Sequence, residues 1–187
     1  DMACLGMAEC DATGNVGVSR YGGRLTGAGG FINISQNARL VVFVGTFTGR
    51  GLKVEVVDGK LRIVEEGRQR KFLKEVEQIT FNGQYAYDRG KPVYYITERC
   101  VFRRVRRGLA LIEVAPGIDV ERDILPYMAF EPIIGEYGEM DARIFNTNPM
   151  GLEAELLNLS LPERVIYDPE RNILFLNFEG MHVRGAD

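Results

Sequence analysis

Histidine is nearly missing from this sequence: His182 is the only one in 187 residues. A Ser-His or Cys-His nucleophilic site would have to depend on that one residue near the end of the sequence, so a structural or surface role is the preferred reading. Cysteine is scarce as well, with Cys4, Cys10 and Cys100 standing apart among apolar neighbours. An odd, dispersed set forms neither a disulfide framework nor a CxxC metal or redox pair. Reduced, buried thiols are expected, and no metal site. No apolar run approaches the roughly 18 residues of a spanning helix, and the first residues lack the basic, apolar, small-residue order of a signal peptide. The expectation is a cytoplasmic protein with no membrane partner. An excess of positive charge is absent too. The 23 Lys and Arg against 26 Asp and Glu leave a net charge of −3, which argues against a nucleic-acid partner held by a basic face.

What is present is an ordinary globular mixture, 45% apolar and 26% charged, long enough for a real core. The residues from Asp1 to Cys10 read as a strand, "FINISQNA" as a short helix, and "RLVVFVGTF" as a continuous apolar strand covered on both faces. In "GLKVEVVDGKLRIVEEG", Val54, Val56, Leu61 and Ile63 alternate with charges around Asp58-Gly59, which predicts a half-exposed hairpin. "KFLKEVEQITFNGQYAYDRG" is ambiguous between helix and strand in its first part. "KPVYYITERCVFRRV" and "RGLALIEVAPG" read as strands about a turn at Gly108. From Ile118 to Phe130 the apolar spacing is helical, with Asp119 as N-cap and Pro126 as a stop or kink. The stretch from Glu131 to Thr147, with "GEYG", reads as turn-rich and as a boundary. Beyond it come a helix in "MGLEAELLNL", a capping box from Ser160 to Glu163, and two strands about an Asp-Pro turn. Strands alternating with short helices give an α/β class.

Three stretches bear on chemistry. Gly27-Ala28-Gly29-Gly30 lacks the G-x-G-x-x-G spacing of a dinucleotide site and has no clear ribose-binding acid after it. It reads either as a tight turn or as a loop whose backbone a ligand must approach closely. Arg99, Arg103, Arg104, Arg106 and Arg107 suit phosphate, although such a run on a strand also describes a solvated edge. Glu98, Glu113 and Glu121 are possible bases or nucleophiles, but none stands out.

Four ordered blocks carry a resemblance: "LGMAECDATGNVGVS", "GAGGFINISQNARLVVFVGTF", "VYYITERCVF" and "GLALIEVAPGIDVERDILPYMAFEP". Together they resemble the C-terminal half of family I coenzyme A transferases, the acetate, propionate and 3-ketoacid type of short-chain fatty acid and ketone body metabolism. The resemblance implies a mainly parallel sheet with flanking helices over 1–134, N-terminally incomplete, and a small helix and hairpin extension over 135–187. It implies transfer of coenzyme A (CoA) between an acyl-CoA and a short-chain carboxylate through a glutamyl-CoA thioester. CoA is then a substrate, there is no prosthetic group, and the enzyme is a homo-oligomer. The family's glycine segment maps onto Gly27, Ala28, Gly29 and Gly30, with Asn33 and Gln36 as polar liners. The family's nucleophilic glutamate lies upstream of the first block. The chain is therefore expected to be a fragment with no catalytic residue of its own, inactive alone and partnered by the upstream half. A non-catalytic CoA-binding or assembly module and an acyl-CoA hydrolase are the alternatives.

Overall fold

The computed structural model describes residues 1–180. His182 lies outside them. Six strands form the central sheet, and they lie side by side in chain order. They are β1 (Met2–Gly6), β2 (Leu40–Val44), β3 (Val93–Ile96), β4 (Cys100–Val105), β5 (Gly108–Val114) and β6 (Ile133–Glu139). β1, β2 and β3 run parallel, β3 to β5 form an antiparallel meander, and β6 returns parallel to β5. This is the α/β class that the alternating elements predict, with the mainly parallel sheet that the resemblance implies. Among the described residues no helix is long and apolar enough to cross a membrane.

Side chains leave the two faces of the sheet alternately, and each face has its own core. On β4, Phe102 joins a large cluster with Phe43, Phe47, Phe72, Phe81 and Tyr95, whereas its neighbour Val101 joins Leu61, Ala115, Met140 and Phe145. Coverage of both faces explains the unbroken apolar run of β2, where Val41, Val42 and Phe43 are all buried. Only Val44, at the end of that strand, is 46% exposed.

Two short helices follow strands. α1 (Phe31–Asn37) leads into β2, and α2 (Gly83–Asp88) precedes β3 with the Asn82 side chain accepting from the Tyr85 N–H at 2.8 Å. The hairpin Lys53–Val57/Lys60–Glu65 turns at Asp58 and Gly59, with φ of 51° and 74° as a type I′ turn requires. It is less buried than its alternation suggests, since Val54 and Val56 are exposed and Leu61 is the buried anchor. Asp119 caps as expected, accepting from the Arg122 N–H at 2.8 Å. The helix it opens is a π turn, Val120–Ile124, which passes into a 3₁₀ turn, Leu125–Tyr127, where Pro126 withholds its N–H.

Two expectations need correction. The stretch read as turn-rich holds β6, a strand exposed throughout that pairs with β5. Its register shifts between the pairs Leu111↔Ile134 and Glu113↔Gly138, so the strand bulges around Gly135, and glycines that signal a turn here serve a bulge. The expected boundary between 134 and 135 falls inside this strand, and the compact units divide between Asn146 and Thr147. Cys4 is also not buried: it sits exposed on β1, while Cys10 and Cys100 are buried and free.

The second unit contains α3 (Leu152–Leu157) and the antiparallel pair Val165–Asp168/Ile173–Leu176. Its capping box is present, with Ser160 N–H and Oγ donating to Glu163 Oε2 at 2.8 and 2.6 Å. Ending the chain after Asn146 is therefore expected to leave cooperative unfolding of the first unit intact in a urea titration. Ending it after Ile134 removes most of β6 together with buried Met140 and Phe145, and should cost about 3–5 kcal/mol. Equal midpoints for the two truncations would contradict this division.

Candidate active site

Ligands of open, parallel α/β sheets bind beyond the carboxyl ends of the strands, where loops diverge. β1 and β2 end at Gly6 and Val44, and a cleft of about 430 Å³ opens there, lined also by Met7, Val18, Gly27 and Lys71. Gly27 and Gly29 take φ of +80° and +52°, a region unfavourable to other residues, and an added Cβ at either would meet nothing within 4 Å. Elsewhere packing demands glycine. A Cβ at Gly83 would lie 2.5 Å from the carbonyl oxygens of Thr13 and Gly14, and one at Gly108 would lie 2.6 Å from that of Ala12. The cluster at Gly27–Gly30 is thus conformationally special without being crowded by the protein.

The site residues read from the sequence are only partly brought together. Gly27 lines the cleft, with Ala28 half-buried and Gly29 exposed beside it. Gly30 is the N-cap of α1. Gln36 lines a different cleft of about 550 Å³ between α1 and α2, with Ile32, Asn82, Tyr85 and Arg89. Asn33 is exposed on α1 and lines neither.

Beneath the loop that follows β2 lies a buried ion cluster. Arg99 is fully buried, and its guanidinium donates to Glu66 Oε1 at 2.7 Å, to Glu98 Oε1 at 3.1 Å and to the Asp123 carbonyl at 2.6 Å. The same group lies 4.9 Å from the Phe47 ring and 5.4 Å from that of Tyr127. Thr48 Oγ1 donates to Glu66, and the Phe47 N–H donates to Glu98 Oε2 at 2.8 Å. Burial pushes the Glu66 carboxyl up, but the bonds from Arg99 and Thr48 outweigh it and leave the group below the usual carboxylate range. The cluster thereby pins the turn between β2 and the next short strand, at one wall of the cleft.

The arginine run is therefore no simple solvated edge. Arg104 is also buried, donating to Gln84 Oε1 at 2.8 Å, while Arg103, Arg106 and Arg107 are exposed. Of the candidate acids, Glu98 has both oxygens engaged, Glu113 is half-buried on β5, and Glu121 is exposed. Burial holds the thiols of Cys10 and Cys100 well above their ordinary pKa, which makes them inert.

Lys71 went unnoticed in the sequence, where it is one cation in the basic stretch "RQRK". Its Nζ lies 3.0 Å from where a Cβ on Gly45 would stand, so the absence of a side chain there makes room for the ammonium. Burial holds it below the usual lysine value, partly offset by the charge of Glu98. Among the described residues the ammonium makes no ion pair or hydrogen bond.

No family model matches the sequence. The chain is 48% identical over 159 residues to caffeate CoA-transferase of Acetobacterium woodii, covering 82% of this chain and 30% of that protein. It is 49% identical over 152 residues to acetate CoA-transferase YdiF of Escherichia coli K12, covering 81% of this chain and 29% of that protein. Crystal structures of the acyl-CoA transferase YdiF of E. coli O157:H7, as apoenzyme and as a thioester complex with CoA, superpose with a TM-score of 0.79 at 49% identity, covering 81% of this chain and 30% of theirs. The chain thus spans about 30% of the length of the relatives it matches. By sequence and by fold alike, it belongs with the CoA-transferases and corresponds to a segment of them.

Proposed function

We propose that this chain supplies the glycine-lined wall of a CoA-transferase active site that moves CoA between an acyl-CoA and a short-chain carboxylate. The observation that carries this reading is the pair Gly27 and Gly29, both at positive φ with open space where a side chain would project, of which Gly27 lines a cleft at the carboxyl ends of β1 and β2. A thioester laid against this backbone can approach the main chain without meeting a Cβ.

The chemistry runs through a carboxylate nucleophile. A glutamate attacks the thioester carbonyl carbon, and the carbonyl electrons move onto oxygen. Backbone N–H groups of the glycine loop other than that of Gly27, which donates to the Ser19 carbonyl oxygen at 3.0 Å, stabilise that oxyanion. Its collapse expels the CoA thiolate as an acyl-glutamyl anhydride forms. The thiolate then attacks the glutamyl carbonyl, giving glutamyl-CoA and the free acid, and the second acid reverses the sequence. Water has to be excluded, because it would hydrolyse each activated intermediate. Glu98 does not serve as this nucleophile, because Arg99 and the Phe47 N–H hold its two oxygens. The glutamate belongs to the rest of the enzyme, as do the contacts of a homo-oligomer. Three free thiols suit a reducing, cytoplasmic setting.

Exchange of labelled acetate into acetyl-CoA by the complete enzyme, with borohydride trapping and peptide mass spectrometry, tests the reading. Exchange is expected, with the trapped glutamate outside residues 1–187. A trapped glutamate within them would overturn the assignment of this chain as a wall, and consumption of acetyl-CoA without an acceptor acid would identify a hydrolase.

A further inference from the structure

We infer that Lys71 binds the carboxylate of the acid substrate and sets the affinity of the site for it. The inference rests on the reading of the cleft as the acyl-transfer site. Lys71 lies on the same cleft as Gly27, its ammonium against Gly45 and without a bonded partner among the described residues. A cation partly withdrawn from water with no bonded anion is unfavourably placed by itself, and an incoming anion relieves that cost. Glu98, whose charge reaches it, is bonded to Arg99 and the Phe47 N–H and forms no ion pair with the ammonium.

The lining identifies the anion. Among the described residues lining this cleft Lys71 is the single cation, whereas phosphate sites gather several donors and favour the arginine fork. A lone ammonium matches a monoanionic carboxylate. Met7, Val18 and Val44 offer an apolar wall beside it, suited to the short alkyl part of such an acid. CoA also carries anions in its phosphates, and the test separates the two sources.

Lys71→Met and Lys71→Arg variants of the complete enzyme, compared with wild type in steady-state exchange, decide the matter, with calorimetric melting as the folding control. In Lys71→Met the KM for acetate should rise about ten- to a hundredfold while the KM for acetyl-CoA changes little. Lys71→Arg should recover part of the loss. A rise confined to the acetyl-CoA KM would assign the ammonium to a phosphate, and a fall in kcat at unchanged KM would assign it to the oxyanion. Either result overturns the inference, as does an unchanged acetate KM in a folded Lys71→Met protein. Wild-type enzyme that exchanges no CoA would overturn the underlying reading, and this inference with it.

Discussion

Replacing Arg99 by leucine is expected to lower the free energy of unfolding by about 3–5 kcal/mol. The side chain is fully buried and ties together Glu66, Glu98 and the Asp123 carbonyl. Removing it leaves two carboxylates that have lost their shared cation, and one of them, Glu66, already has a buried Oε2 without a hydrogen-bond partner. The cost of stranding buried charge, rather than any intrinsic strength of the ion pair, makes the effect large. Arg103 provides the control, since it is exposed and its guanidinium lies 5.9 Å from the Tyr94 ring. Arg103→Leu should change stability by no more than about 0.5 kcal/mol. Urea titrations of both variants check this, and a loss below about 1 kcal/mol for Arg99→Leu would show that the cluster is not what holds the loop after β2.

The second large effect divides fold from function by placing one substitution at two glycines. At Gly83 a valine drives its Cβ to 2.5 Å from the Thr13 and Gly14 carbonyl oxygens, which are main chain and cannot step aside cheaply. The expected result is a loss of about 3 kcal/mol of stability. At Gly29 an added Cβ meets nothing within 4 Å, so the positive φ of 52° is what opposes the substitution. That strain costs about 1–3 kcal/mol, and the protein should remain folded. On the proposed role of the loop its exchange activity should nevertheless fall about a hundredfold or more, because a branched side chain would then stand in the path of the thioester. A Gly29→Val enzyme with wild-type turnover would contradict the role given to the cluster.

Much of the architecture is written in local signals. The apolar run at Leu40–Val44 declares a strand covered on both faces, and Asp58-Gly59 declares its hairpin, because each signal depends only on neighbours along the chain. β6 is illegible for the converse reason. It buries none of its side chains, and its membership of the sheet comes from backbone pairing with β5, which leaves no periodicity to read. The helix predicted after Asp119 is present only as π and 3₁₀ turns, since Pro126 interrupts an already short segment.

The glycine cluster could be read from the sequence, and the buried charges could not. A glycine cluster advertises unusual backbone by itself, and Gly27 does line the cleft. Arg99 resembles the exposed arginines that follow it until Glu66, 33 residues earlier in the chain, is placed beside it. Lys71 acquires its meaning only when the absence of a side chain at Gly45 leaves room for its ammonium. Asn33 and Gln36 share the short helix that follows the glycine loop, yet proximity in sequence does not fix which cleft a side chain reaches.

Titration calorimetry of acetyl-CoA against the complete enzyme, as wild type and as Gly29→Val, tests the central claim most directly. Binding to the wild type and its loss by about a hundredfold in a variant that still melts cooperatively is the result the account predicts. Equal affinity in the two folded proteins would contradict it, because the backbone of the glycine loop would then have no part in receiving the thioester.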